Sequence, residues 1–128
     1  MPAATTEKTE KIQVSAGQRL FHEGEPGDRA YLVMSGRIEI SKKTRDDEVI
    51  LAMVGRGEIV GEMALIDDMP RMATARAVEP TTLVIVTRES FRRKVEALDP
   101  VSAHLFTKFV RIIRDQANEL AQLRKVVR

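Results

Sequence analysis

The stretch Gly61-Glu62-Met63-Ala64-Leu65-Ile66-Asp67-Asp68-Met69-Pro70-Arg71-Met72-Ala73-Thr74-Ala75-Arg76-Ala77 decides how this chain is read. Glu62 and Arg71 stand nine residues apart, each beside small residues, with a polar turn between them. Glycine and alanine beside a charged group let backbone N–H groups approach a ligand closely. A short helical stretch after Gly61 would point unpaired N–H groups at an anion. The planar fork of Arg71 could then grip that anion. Glu62 cannot serve the same anion, because like charges repel, so it needs a hydroxyl or a cationic partner. An anion with a hydroxyl close by describes a sugar phosphate.

Outward from this stretch the chain reads as short strands. Residues 1–10 are polar and are expected to form a flexible tail. Ile12 and Val14 then alternate with polar neighbours. Segments 30–34 and 37–41 follow, separated by Ser35-Gly36, a hairpin-type punctuation. Asp46-Asp47 marks a turn before 48–54, and Gly55-Arg56-Gly57 breaks the chain again. After Arg71, 73–78 and 82–87 read as two more strands around Pro80. Many short strands in one small domain predict a sandwich, barrel or jelly roll.

The last third changes period. Thr87 is suited to cap a helix running to about Leu98, with Glu89 in its first turn and Phe91, Val95 and Leu98 on one face. Asp99-Pro100 restarts the helix, Asp as cap and Pro at the first helical position. From there Phe106, Phe109, Ile113, Gln116, Leu120, Leu123 and Val127 follow alternating spacings of three and four. That is a heptad seam, interrupted at Gln116. A helix of this length exceeds what a small β-domain needs for its own cover, so part of the seam is expected to pack on another chain. The expected organisation is a tail (1–10), a β-domain (11–98) and a C-terminal helix (99–128).

Gly61-Glu62-x-Ala64-Leu65 followed by Pro70-Arg71-x-Ala73-Thr74 resembles the phosphate-binding cassette of the cyclic-nucleotide-binding domain family. That family includes the regulatory subunit of protein kinase A, the catabolite activator protein and cyclic-nucleotide-gated channels. Upstream, Phe21-x-x-Gly24, Gly27-Asp28, Tyr31-x-Val33 and Gly36-x-x-x-Ile40 look like the family's early strands and turns. The resemblance covers roughly residues 12–127. It implies a mainly β fold, a jelly-roll-like β-roll with a short helix in the cassette and two C-terminal helices.

The resemblance also assigns roles. Glu62 would accept hydrogen bonds from the ribose 2′-hydroxyl. Arg71 would neutralise the single charge of a cyclic phosphodiester, with backbone donors from Met63 or Ala64 and from Met72 or Ala73. Family members that prefer cyclic GMP often carry Thr or Ser after the arginine. Met72 offers only a soft apolar surface to the purine, which tilts the expectation toward cyclic AMP, with cyclic GMP as the alternative. Val60 is a candidate for lining the purine pocket and is equally well explained as a plain core valine. For Gln116 two readings stand side by side: a polar residue that sets coiled-coil register, and a contact to the adenine from a lid helix.

Composition narrows the function class. Twenty-one basic against nineteen acidic residues give a net charge of +2 and a pI near 9.1, but the charges are interspersed. Arg92-Arg93-Lys94 and the Arg124-Lys125…Arg128 end are the only locally basic runs, and they read as solvated helix faces. Cysteine is absent, which excludes a disulfide framework or thiolate metal site and fits a reducing cytoplasm. The N-terminus has no apolar stretch of signal-peptide type, and the aliphatic run 83–86 is far too short to span a bilayer. His22 and His104 are not grouped with acids as metal ligands, and no Ser–His–Asp arrangement is apparent. The expectation is a cytoplasmic, non-catalytic, metal-free sensor that acts on an unidentified effector protein and can form a homodimer through its last helix. The alternatives are the regulatory domain of a transcription factor resembling the catabolite activator protein but lacking its DNA-binding part, or a regulatory or scaffold subunit that binds cyclic GMP or another nucleotide. With no helix-turn-helix after the last helix, specific DNA binding is not expected.

Overall fold

The computed structural model describes residues 10–66 and 68–127, excepting the side chains of 114, 117, 118 and 120–127. The chain divides into two compact units, 1–91 and 92–128. The first contains two four-stranded antiparallel sheets. One sheet orders β1 (Glu10–Val14), β8 (Thr81–Thr87), β3 (Arg29–Ser35) and β6 (Ile59–Val60). The other orders β2 (Arg19–Phe21), β7 (Thr74–Ala77), β4 (Ile38–Lys43) and β5 (Glu48–Val54). The fold is therefore the mainly β roll expected from the sequence.

The core follows from period-two alternation in the central strands. Val33 and Leu83 are register partners in β3 and β8, and both are essentially fully buried. Ile38, Ala75 and Ala77 join them from the second sheet at 0% exposure. Each large aliphatic side chain so buried contributes roughly 1.5–3 kcal/mol. Val14, Tyr31 and Val60 complete the cluster, with Ile12, Leu20, Phe21, Ile40, Val54 and Ile85 packed against it.

Two expectations need correction. Ser35-Gly36 does not close a hairpin, because β3 pairs with β6 and β8 while β4 pairs with β5 and β7. The segment is a corner at which the chain changes sheets. Gly36 holds φ +98°, and a Cβ there would collide with Thr81, whose Oγ1 accepts from Arg37 N–H at 3.1 Å. The tail boundary also moves, since Glu10 already pairs with Ile85 as the first residue of β1. The expected flexibility of residues 1–9 lies outside the described residues.

The helices begin where the capping signals place them. Thr87 Oγ1 accepts from Ser90 N–H at 3.1 Å at the start of α1 (Arg88–Glu96). Asp99 accepts from Ser102 N–H at 2.8 Å and from its hydroxyl at 2.9 Å, opening α2 (Pro100–Val127). The Ser102 bonds hold the Asp99 carboxyl below its usual range. At ~1.5 Å per residue, the 28 residues of α2 span about 42 Å. Val101, Leu105, Phe109, Ile112 and Ile113 are exposed along it. The seam positions Leu120, Leu123 and Val127 lie outside the described side chains. Among the described residues no helix is long and apolar enough to cross a membrane.

Candidate functional site

Pairing of β6 with β3 sets one side of the site. Val60 is the register partner of Tyr31, and just beyond that pair the Gly61 and Arg29 carbonyls both accept from one guanidinium, that of Arg71. Gly61 adopts a left-handed φ of 78°, and a four-residue 3-10 helix, Glu62–Leu65, follows it. Ala64 N–H already donates to Gly61 O at 3.2 Å. Of the two backbone donors expected here, Met63 is thus the freer one.

Pairing of β2 with β7 sets the other side. Just before β7, Arg71 N–H donates to Glu25 O and Gly24 N–H donates to Arg71 O, both at 2.8 Å. This pair of bonds carries the Arg71 side chain inward. Only 8% of Arg71 is exposed. Its Nη2 donates to Arg29 O at 2.9 Å and its Nη1 to Gly61 O at 3.4 Å. The guanidinium carbon lies 4.0 Å from the centroid of the Phe21 ring, which itself stacks on Tyr31 with centroids 6.3 Å apart.

Nε of Arg71 is buried and has no hydrogen-bond partner. A Cβ at Gly27 would collide with that Nε, and one at Gly61 would lie 2.6 Å from Nη1. Two glycines therefore make the space the guanidinium occupies. Burial lowers the pKa of Arg71, while Tyr31, Asp28 and Glu25 oppose the shift and Arg29 adds to it. An arginine nonetheless stays charged. A buried cation held only by neutral carbonyls and a ring is several kcal/mol short of what a counter-anion would supply. The geometry calls for an anion.

Glu62 adjoins Gly61, so the Gly61 carbonyl brings Glu62 and Arg71 to one corner. Its carboxylate is exposed and has no partner among the described residues. Met72 is 56% exposed beside the buried arginine, and Ala73 is half-buried. Val60 is 3% exposed and belongs to the core cluster. Gln116 lies in the second unit and is exposed there. Among the described residues no group of three or more His, Asp or Glu is placed to hold a metal.

Sequence reasoning missed the residues that build the site from outside the cassette. Phe21 and Gly27 stood in the quoted motifs, but without a role. Arg88, the first residue of α1, gave no signal at all. Its Nε and Nη2 both donate to Ala64 O, at 3.0 and 2.8 Å, and Nη2 also donates to Gly27 O at 3.2 Å. Its Nη1 pairs with Asp68 Oδ1 at 2.7 Å, and its N–H donates to Asp28 O at 3.1 Å. One side chain thereby ties the end of the 3-10 helix, the Gly27 loop and the cassette turn to the start of α1.

The comparisons agree with this geometry. Residues 11–97 match the family model of the cyclic nucleotide-binding domain. The chain belongs to that family. It is 30% identical over 122 residues to a CRP-like cAMP-activated global transcriptional regulator of Mycobacterium tuberculosis, covering 94% of this chain and 54% of the regulator. Among solved structures, the half-site-occupied form of the EAL enzyme Bd1971 superposes with a TM-score of 0.79 at 34% identity, covering 86% of this chain and 99% of that one. The catabolite activator protein of Thermus thermophilus gives 0.71 at 33% identity, covering 90% of this chain and 55% of that one. The chain thus spans about half the length of the bacterial regulators it matches.

Proposed function

We propose that the chain is a cyclic-nucleotide sensor module that prefers cyclic AMP and works by binding rather than by catalysis. The observation that carries this reading is the buried guanidinium of Arg71, with its orphaned Nε and a glycine on either side. A cyclic phosphodiester supplies the single negative charge that this cation lacks. Glu62, exposed and unpartnered at the same corner, is the acceptor for a ribose hydroxyl. Met63 N–H on one side and Met72 or Ala73 N–H on the other complete the phosphate cradle. Met72 presents no hydroxyl to a guanine amino group, which favours adenine. Both cAMP-bound and cGMP-bound forms of Bd1971 match this chain, with TM-scores of 0.70 and 0.71, so cyclic GMP is the competitor to test.

Ligand binding would act by population shift, and only through a difference in affinity between two states. Leu65 would repack against the helix carrying Phe91, and α2 would report the change. The exposed stripe Val101, Leu105, Phe109, Ile112 and Ile113 supports a homodimer or an effector protein as the recipient of that report. A second reading is the regulatory domain of a CRP-like transcription factor, favoured by the extent of the match to the M. tuberculosis regulator. On either reading this segment is cytoplasmic and does not itself recognise a DNA sequence. Calorimetric competition among cyclic AMP, cyclic GMP and AMP is the test. Arg71→Ala should lose about 2–5 kcal/mol of binding, by analogy with buried charge pairs. An unchanged affinity in that variant would sink the phosphate assignment.

A further inference from the structure

Beyond Arg71 the chain re-enters the sheet imperfectly. The last register pair between β4 and β7 is Ser41 with Thr74. Continued one turn of the ladder outward, that register would set Lys43 opposite Met72. Arg71, however, is drawn aside by its two backbone bonds to Gly24 and Glu25. Side chains take over the unmet ladder bonds. Lys43 N–H donates to Glu23 Oε1 at 3.0 Å, and the Met72 carbonyl accepts from Lys42 Nζ at 2.9 Å. The same ammonium donates to Glu23 Oε2 at 2.9 Å, while Glu23 N–H donates to Thr74 Oγ1 at 3.0 Å. An ion pair this exposed, 36% and 30% at its side chains, contributes little as charge alone. What distinguishes this one is that both members also bond backbone on either side of the cassette exit.

We infer that Glu23 and Lys42 are positioning residues for the ligand: they fix the Met72 peptide beside Arg71 and so set how Met72 and Ala73 meet the nucleotide. The inference rests on the cyclic-nucleotide reading above. It adds that discrimination between bases depends on a pair that does not touch the base. If Lys42 is lost, the Met72 carbonyl is left without its donor and the peptide is free to rotate. The Met72 side chain then no longer meets the purine in one orientation.

Calorimetric titration of the full chain with cyclic AMP and cyclic GMP tests this in wild type, Lys42→Met, Lys42→Arg and Glu23→Gln. Lys42→Met should weaken cyclic AMP binding about tenfold, the scale of one charge-assisted hydrogen bond, and change the cyclic AMP to cyclic GMP ratio. Lys42→Arg, which retains donors for both acceptors, should restore most of the affinity and the ratio. Glu23→Gln should move the ratio in the same direction as Lys42→Met, and it decides the matter if Lys42→Met fails to fold. Wild-type affinities and ratio in both variants would overturn the inference while leaving the site reading intact. A uniform loss for both nucleotides, unrescued by arginine, would also overturn it and leave the pair a plain structural role. If the wild type binds neither nucleotide, the function and this inference fall together.

Discussion

The guanidinium of Arg71 lies 4.0 Å over the ring of Phe21, so the cation of the candidate phosphate site rests on a π face instead of a carboxylate. A carboxylate in that place would already neutralise the arginine and compete with any phosphate. A ring attracts the cation more weakly, by ~0.5–2 kcal/mol, and leaves its charge available. Phe21→Leu keeps an apolar side chain against the core but removes the π face. The contact is already made in the ligand-free protein, so its loss should lower the unfolding free energy by about 0.5–2 kcal/mol. Ligand affinity should also fall, by up to about 30-fold, as far as the guanidinium is no longer held in place. Titration of the folded variant with cyclic AMP measures this, and wild-type affinity would show that the ring does no more than fill space.

Gly27 is expected to be intolerant of any side chain. Its backbone is not in the left-handed region, so the restriction is purely one of space: a Cβ would collide with Arg71 Nε. Either the guanidinium moves or the Gly27 loop does, and both displace the Arg29 and Gly61 carbonyls from their donors. Gly27→Ala should therefore abolish measurable cyclic-nucleotide binding in a domain that still unfolds cooperatively. Binding at wild-type strength would mean that the guanidinium has room this geometry does not give it.

The strands long enough to alternate were legible in the sequence, and so were both helix starts, because Thr87 and Asp99 cap through local bonds that a short motif encodes. The cassette was legible for the same reason: Gly61, Glu62 and Arg71 lie on one short segment. The two-residue β6 was not, since so brief a run has no period to detect. Nor was the sheet change at Gly36, because a positive φ serves a hairpin and a corner alike. The supports of Arg71 escaped notice for a different reason. Phe21, Gly27 and Arg29 reach it only through the pairing of β2 with β7 and of β3 with β6, which is long-range information. Arg88 reaches the Ala64 and Gly27 carbonyls and the Asp68 carboxylate, and a single sequence carries no trace of such partners.

Arg88 should prove more important to stability than to charge. Its donors satisfy the Ala64 and Gly27 carbonyls, and a hydrogen bond from a charged group is worth ~1.5–3 kcal/mol. Arg88→Met keeps much of the stem but removes all of these donors. Unfolding by urea should show a loss of about 2 kcal/mol, and amide exchange should speed up over 62–68 relative to the β8 strand. Arg88→Lys, with a single point charge, cannot bridge the same carbonyls and should recover only part of the loss. Exchange that speeds up no more there than in β8 on mutation would argue that Arg88 is not what holds the 3-10 helix.

Glu23 gives a prediction in pH. The Lys43 N–H bond, then the Lys42 ammonium, lowers its pKa from the ordinary 4.5. Above 4.5 the carboxyl is ionised in both folded and unfolded chains, and its full contribution to stability is present. As pH falls below that value the unfolded chain takes up the proton first, so stability drops. The drop continues until the pH has passed the depressed folded value, where both states are protonated and the contribution is gone. Glu23→Gln cannot titrate, so its unfolding free energy should decline less steeply than that of the wild type below pH 4.5 and run parallel to it above. Urea unfolding of the two proteins across that range measures the difference directly. Parallel curves throughout would show that the bonds from Lys43 and Lys42 do not favour the ionised carboxylate.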